Sequence, residues 1–386
     1  MHNRTEEEIL AIFEKDLPGR TNYFAFDLMR TLPLENQNLV FSPFSISSAL
    51  AMTYAGARGL TREEMSATLF FDSDQEAFHS AYGHYLKQLD ELAAEDIQLN
   101  IANRLWAQQG FHFLPEFFQL IEAHYGSTVK QVDFRGPREP IRLDINQWVY
   151  DQTSEKIPDL IAEGILTEDT RLVLVNAIHF LGRWMTEFNK ESTRKDTFYN
   201  LDGSEMSTDF MFRQGSYPHF ESQQVQAMEI PYAGGNFSMV FVLPPDDMPL
   251  DDCESTFGAG EFFGLLQNLR PTRLNAIIPR FKAETSFSLE ELLPDMGMPR
   301  AFSNKAEFSG MTGDDTLKID KVIHKAMIEV QEGGTEAAAA TAVVMIEKTS
   351  IDPEEPRVFK ADRPFLFFIK DNQYNSILFM GRVVKF

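Results

Sequence analysis

Serine and histidine residues are the side chains from which this sequence could build a hydrolase. Ser42, Ser45 and His324 would supply a nucleophile and a base if the fold brought them together. Both serines, however, flank Pro43 at the start of a predicted helix, where serine caps free backbone N–H groups and proline fits the first turn. The sequence also lacks the Gly-x-Ser-x-Gly elbow, the phosphate-binding loop and the His-Glu-x-x-His zinc motif. We therefore predict that the protein is not an enzyme.

The histidines and glycines give no strong signal for a metal or a cofactor. His79 and His84 are five residues apart in one predicted helix, so they point to different faces. Residues 258–264, Gly-Ala-Gly-Glu-Phe-Phe-Gly, resemble a dinucleotide-binding loop, but the third glycine is one position late and no strand precedes it. We predict a plain loop there, no metal and no cofactor.

One stretch near the C-terminus has an unusual composition. It starts with two glycines after Glu332, continues through four consecutive alanines, carries a lone lysine, Lys348, and ends in prolines at 353 and 356. Glycines free the backbone at one end and prolines stiffen it at the other, while the small side chains between them suit a crowded sheet. We interpret residues 332–356 as a bait loop that can become a strand.

The surrounding chain alternates between helix and strand patterns. Apolar residues at a 3.6-residue period predict an amphipathic helix from Phe78, and the segment Pro115–Tyr125 has the same character. The apolar, β-branched run Arg171–Phe180 is typical of a strand buried on both faces. Antiparallel strands are predicted at Met228–Tyr232 and Phe237–Leu243, joined by the turn Ala233-Gly-Gly-Asn236. No repeat or linker divides the chain, so we predict one α+β domain over residues 1–386.

Composition limits the partners and the compartment. The chain has 386 residues and a net charge of -23, which disfavours binding to nucleic acid. Its single cysteine, Cys253, excludes an internal disulfide. The first residues do not form a signal peptide and no apolar run is long enough to span a membrane. We expect a secreted, periplasmic or cell-surface protein whose signal has been removed, with a cytoplasmic protein as the alternative.

Four segments resemble one protein family, in the order in which that family has them. They are Phe41–Met52, Asn176–Trp184, His324–Val330, and the C-terminal pair Arg363–Ile369 and Leu378–Val383. Together with the glycine- and alanine-rich stretch from Glu332, they are similar to the serpins, the large superfamily of protease inhibitors. The resemblance extends over nearly the whole chain.

The resemblance implies a fold and a mechanism. It implies three β-sheets surrounded by eight or nine helices, with an exposed reactive-centre loop at residues 332–356. In inhibitory members a protease cleaves this loop and is trapped as its acyl-enzyme while the loop inserts into the main sheet. The native state is then trapped behind a kinetic barrier. We expect a monomer that forms a covalent complex with its target protease.

The side-chain pattern of the loop suits insertion. We call the following residues the hinge: Glu332, Gly333, Gly334, Thr335, Ala337, Ala339 and Thr341. Because side chains alternate along a strand, Thr335 and every second residue after it would face inward beneath the sheet, and all of these are small or apolar. A buried charge at the first inward position would cost several kcal/mol, so an inhibitory serpin is favoured.

Family spacing also predicts the cleaved bond. Sixteen residues onward from Glu332 is Lys348, so the scissile bond is Lys348–Thr349. Lysine fits a protease pocket that contains a carboxylate, which predicts trypsin-like targets. The apolar residues Val344, Met345 and Ile346 are secondary bait for elastase-like or chymotrypsin-like enzymes.

Two further groups follow from the resemblance. Ser42, Ser45, Asn176 and His324 correspond to residues that control opening of the main sheet, and we call them the sheet-opening cluster. A buried polar network that serves only stability is the alternative. Trp184, Arg280 and Glu332 lie where the loop first enters the sheet, and we expect Arg280 and Glu332 to form a surface ion pair worth at most about 1 kcal/mol.

The sequence departs from the family in places. Gly333 stands where a second acidic residue is usual, and Glu347 precedes the scissile lysine. The acidic helix between Asp72 and Asp96 lacks a basic stripe, so we expect no heparin activation. The alternative function is a noninhibitory serpin that acts as a binding or chaperone-like protein, and a hydrolase is a third, weaker hypothesis.

Overall fold

The structure, a computed structural model, describes residues 6–33, 36–93, 97–335 and 355–386. In this part of the chain, helices and strands alternate as the sequence predicts. The α-helices are α1 (Glu6–Thr31), α2 (Pro43–Tyr54), α3 (Gly59–Leu69), α4 (Gln75–Leu92), α5 (Pro115–Tyr125), α6 (Arg138–Gln152), α7 (Leu250–Thr256), α8 (Ala259–Asn268), α9 (Leu292–Met296) and α10 (Ser309–Thr312). Two short 3-10 helices occupy Lys190–Ser192 and Pro299–Phe302.

Fifteen strands lie in the same described residues. They are β1 (Leu39–Phe41), β2 (Ile97–Gln108), β3 (Val129–Val132), β4 (Leu172–Arg183), β5 (Arg194–Tyr199), β6 (Glu205–Glu221), β7 (Gln226–Pro231), β8 (Phe237–Leu243), β9 (Arg270–Pro279), β10 (Phe281–Ser288), β11 (Lys321–Gln331), β12 (Gly334–Thr335), β13 (Arg357–Lys360), β14 (Phe365–Asp371) and β15 (Ile377–Val383).

Hydrogen bonds join these strands into two sheets. The first has six strands in the order β10-β11-β12-β4-β2-β3, and the second has nine strands, from β1 through β15, β14, β8, β7, β6 and β9 to β13, with β5 paired to β6. The long strand β6 pairs with β5, β9 and β7 along its length. It therefore joins these strands into one continuous sheet. The described strands form two hydrogen-bonded sheets, where three separate sheets were expected.

The fold is α+β, with one main hydrophobic core that is shared by both sheets. Helix α2 lies inside this core, since every residue from Pro43 to Tyr54 is buried. The described residues form ten α-helices, more than the eight or nine expected, because α7, α9 and α10 are short segments of seven, five and four residues.

One local prediction was wrong. Residues 258–264, expected to be a loop, begin the helix α8. Glu261 accepts a hydrogen bond from the backbone N–H of Gly258 at 3.0 Å, and Phe262 and Leu265 are buried one turn apart. Capping and burial of this apolar face outweigh the low helix propensity of the glycines.

Candidate functional site

The described part of the hinge already lies in the six-stranded sheet. Gly334 and Thr335 form β12, which pairs antiparallel with β11 on one side and with β4 on the other. Gly334 has φ +149°, and a Cβ added there would lie 2.0 Å from the carbonyl oxygen of Gly182. Only glycine fits this position, so Gly334 is required by the close approach of two strands.

Thr335 occupies a fully buried position beneath the sheet. Its exposed fraction is 0%, and its hydroxyl lies 2.6 Å from the hydroxyl of Tyr232. The Tyr232 ring stacks on Trp184 with a centroid distance of 4.6 Å. Burial holds the pKa of Tyr232 well above its usual range, so this phenol stays protonated. Thr335 is therefore buried in the intact chain, and its role as the first inward residue of an inserting loop stays a prediction.

Glu332 anchors the start of the hinge. Arg280 Nε donates to Glu332 Oε1 at 2.8 Å, and the Thr193 hydroxyl donates to the same oxygen. The expected pair is present, but it is not a surface pair, because only 2% of the Glu332 side chain is exposed. Burial disfavours the charged carboxylate, yet the hydrogen bonds from Arg280 and Thr193 outweigh it and hold the pKa of Glu332 below its usual range.

Trp184 holds the chain at the end of β11. Its backbone N–H donates to Gly333 O at 2.9 Å, and its indole Nε1 donates to Gln331 O at 3.0 Å. The three residues predicted at this position, Trp184, Arg280 and Glu332, therefore lie close together at the end of the sheet where β12 separates β4 from β11. Their effect on loop insertion stays a prediction.

The four residues of the sheet-opening cluster contact one another below the hinge. The backbone N–H of Ser42 donates to His324 Nε2 at 3.1 Å, so the ring proton is on Nδ1, which donates to Asn176 Oδ1. Asn176 Nδ2 donates to the Ser45 carbonyl oxygen at 2.8 Å. Ser42 also caps α2, because its hydroxyl accepts the N–H of Ser45 at 3.0 Å.

The cluster joins α2 to neighbouring strands of the sheet. Asn176 on β4 and His324 on β11 are direct partners in the parallel ladder, and Asn103 on β2 is the partner of Asn176 on its other side. Asn103 Oδ1 accepts a hydrogen bond from Asn176, a contact that sequence reasoning missed. The alternation of side chains along β2 places Asn103 on the same face of the sheet as Asn176, but only the strand register identifies Asn176 as its partner.

His324 is neutral in the folded protein. It is completely buried, and burial lowers its pKa from 6.5 to about 3. Protonation of Nε2 would also place a hydrogen against the N–H of Ser42, so the hydrogen bond between these two groups would be lost. The same charge state is found for His79 on α4, which is 1% exposed and has a pKa of about 3.

These pKa values predict a loss of stability in mild acid. Between pH 6.5 and about 3 the unfolded chain binds more protons at His324 than the folded chain, so stability falls as the pH falls. From pH 7.5 to pH 5 the loss due to His324 is about 2 kcal/mol. Urea unfolding of the wild type and of His324→Gln at both pH values should show this extra loss only in the wild type; equal losses would contradict it.

A sequence comparison decides the family. The model of the family described as Serpin (serine protease inhibitor) matches residues 20–386. The chain belongs to the serpin family. It is 39% identical over 371 residues to an uncharacterized serpin-like protein of Thermococcus kodakarensis, which covers 96% of this chain and 86% of that protein. It is also 39% identical to a leukocyte elastase inhibitor of Bos taurus, over 96% of this chain and 99% of the inhibitor.

Solved serpin structures share the fold. The crystal structure of the thermophilic serpin tengpin in its native state matches with a TM-score of 0.88 and 30% identity, covering 96% of this chain and 95% of tengpin. Other predicted serpin positions lie outside the described residues. These are Ala337, Ala339 and Thr341 of the hinge, the bait residues Val344, Met345 and Ile346, and the bond Lys348–Thr349.

The described residues contain neither a membrane-spanning helix nor a cluster of metal ligands. None of the described helices is both long and apolar enough to cross a membrane. Among the same residues no group of three or more histidine, cysteine or acidic side chains is arranged to hold a metal ion. The candidate site is the seam where β4 pairs with β11, with the hinge strand β12 between the two strands at its upper end and the sheet-opening cluster below.

Proposed function

We propose that this serpin is a suicide inhibitor of trypsin-like serine proteases. Cleavage at Lys348–Thr349 would release the loop, which would then insert between β4 and β11 and trap the acyl-enzyme. The observation that carries the proposal is the position of the hinge, which pairs with both strands and runs antiparallel to each. A strand that continues from Thr335 needs no change of direction.

The strand register extends this argument to the sheet-opening cluster. Thr335 pairs with Gly182 of β4 and Val330 of β11. Six residues further along the loop is Thr341, and six positions down each neighbouring strand are Asn176 and His324. Continued insertion in this register would therefore place Thr341 between the two cluster residues that now contact each other.

This position gives the cluster a role beyond stability. The hydrogen bond from His324 Nδ1 to Asn176 Oδ1 would have to break before a strand could pass between β4 and β11. A threonine hydroxyl can both donate and accept, so Thr341 can satisfy both separated groups. An apolar residue there would leave them buried and unpaired, at a cost of about 1–3 kcal/mol for each group.

The loop alternation also fits the observed burial at the hinge. Thr335 is buried on the inner face, and the inward positions that follow it carry no charge. We infer inhibition for this reason, since a charged inward residue would oppose insertion.

The experiment is to mix the protein with trypsin and to examine the products by denaturing electrophoresis and mass spectrometry. We expect a complex of the serpin and trypsin that survives SDS, together with a released fragment that begins at Thr349. Lys348→Ala should lose most of the trypsin inhibition, because the protease pocket then has no cationic side chain to bind. Val344→Ala, which also truncates a side chain of the same loop to alanine but removes no charge, is the control.

The alternatives give different products. A noninhibitory serpin would be cut by trypsin without forming a complex, and a hydrolase would show neither outcome. Unchanged trypsin inhibition by Lys348→Ala would mean that the scissile bond is elsewhere. Loss of inhibition with Val344→Ala as well would mean that the loop variants affect insertion and not recognition.

A further inference from the structure

A cavity of about 640 Å³ lies between α7, α8 and the turn that joins β6 to β7. Its floor is apolar and is formed by Phe220, Val225, Met248, Phe257 and Leu265. This volume lies within the range of about 300–1,000 Å³ that is typical of small-molecule sites. None of its lining residues belongs to the hinge or to the sheet-opening cluster, so loop insertion does not explain it.

A glycine in the interior of α8 faces this cavity. Gly264 is one of the lining residues, and a Cβ added there would meet nothing within 4 Å. A glycine inside a helix is about 1 kcal/mol less favourable than alanine. Because a side chain at position 264 would project into the cavity, glycine leaves this part of the helix backbone open to a bound molecule.

The two charged residues that line the cavity are both acidic, while Arg30 lies beside Glu261 and donates to the Phe257 carbonyl oxygen at 3.5 Å. Asp252 on α7 and Glu261 on α8 are exposed lining residues, and the lining contains no lysine, arginine or histidine. The remaining polar lining residues, among them Ser222, Gln224 and Asn268, are uncharged. This arrangement favours a cation and disfavours an anion, although water weakens the interaction at an exposed rim.

We propose that this cavity binds a small, flat, apolar molecule that carries a positive charge. Its ring system would lie on the apolar floor against the backbone of Gly264, and its ammonium group would lie near Asp252. Glu261 contributes charge but also caps the N–H of Gly258, so Asp252 is the better position to test. The site is independent of the protease-inhibitor function, and neither result decides the other.

The test uses three probes with the same indole ring and different charges. Tryptamine is a cation, indole-3-acetamide is neutral and indole-3-acetate is an anion. Calorimetric titration of the full chain should show the tightest binding for tryptamine and binding at least about tenfold weaker for indole-3-acetate. Asp252→Asn should weaken tryptamine about threefold to fivefold, as expected for one screened ion pair, and leave indole-3-acetamide unchanged.

Two leucine variants distinguish binding in the cavity from non-specific attraction of a cation to an acidic protein. Gly264→Leu places a side chain in the cavity and should weaken tryptamine binding at least about tenfold. Gly260→Leu makes the same change on the same helix, also in open space, but outside the lining, and should bind as the wild type does. Equal binding by the two variants, binding of the anion as tight as the cation, or binding of none of the probes would overturn the proposal.

Discussion

Thr335→Arg should convert this serpin from an inhibitor into a substrate of trypsin. Thr335 is fully buried and its hydroxyl contacts Tyr232 at 2.6 Å, so an arginine there would place an unpaired charge beneath the sheet. Burial of such a charge costs several kcal/mol, and each 1.4 kcal/mol changes a rate tenfold. We expect the yield of the SDS-stable complex to fall on the order of a hundredfold, while cleavage at Lys348 continues.

Two controls define this result. Thr335→Ser keeps the hydroxyl and should trap trypsin nearly as well as the wild type. Lys195→Arg introduces arginine on an exposed part of β5 and should have no effect. Complex formation that persists in Thr335→Arg would contradict the insertion of Thr335 as the first inward residue.

Replacement of His324 should destabilise the native state and make the main sheet easier to open. His324→Ala removes the partners of the Ser42 N–H and of Asn176 Oδ1, both of which are completely buried. Each unpaired buried group costs about 1–3 kcal/mol, so the native state should lose about 2–6 kcal/mol for the two groups. This contact also joins β4 to β11, between which the loop would have to insert. In His324→Ala we therefore expect spontaneous loop insertion on mild heating to be at least about tenfold faster.

His79→Ala is the matched control for this variant. His79 is also buried and neutral, and its Nδ1 bonds to the Tyr125 hydroxyl at 2.6 Å, but it lies on α4 and does not join β4 to β11. Both variants should melt at lower temperature, while only His324→Ala should lose trypsin-trapping activity during incubation below its melting temperature. Equal rates of activity loss in the two variants would mean that the cluster only stabilises the fold and does not control opening of the sheet.

Much of the fold could be predicted because its signals are local. The helix Pro115–Tyr125 and the strand Phe237–Leu243 were predicted with their observed ends, since one has a clear apolar period and the other is apolar except for Ser238. Strand β6 was not predicted, because its 17 residues mix exposed polar positions with few buried ones. Helix α8 was missed because its glycines suggested a loop, while its stability comes from capping and tertiary packing.

The site was predictable in its members but not in its geometry. The sheet-opening cluster and the residues around Glu332 came from similarity to a family, and the structure brings each group together. The burial of Glu332, the contact of Asn103 with Asn176 and the placement of Gly334 against Gly182 were not predictable. Each depends on strand register between segments that are far apart in sequence, which local patterns do not contain.

The most direct test of loop insertion is the melting temperature of the chain before and after cleavage of the loop at Lys348. An inserted strand would complete two ladders, with β4 and with β11, and would bury its inward side chains. We predict that cleaved wild-type protein melts at least about 10 °C higher than the intact protein, since about 1 kcal/mol shifts the melting temperature of a large domain by about 2 °C. A melting temperature that is unchanged or lower after cleavage would contradict insertion between β4 and β11.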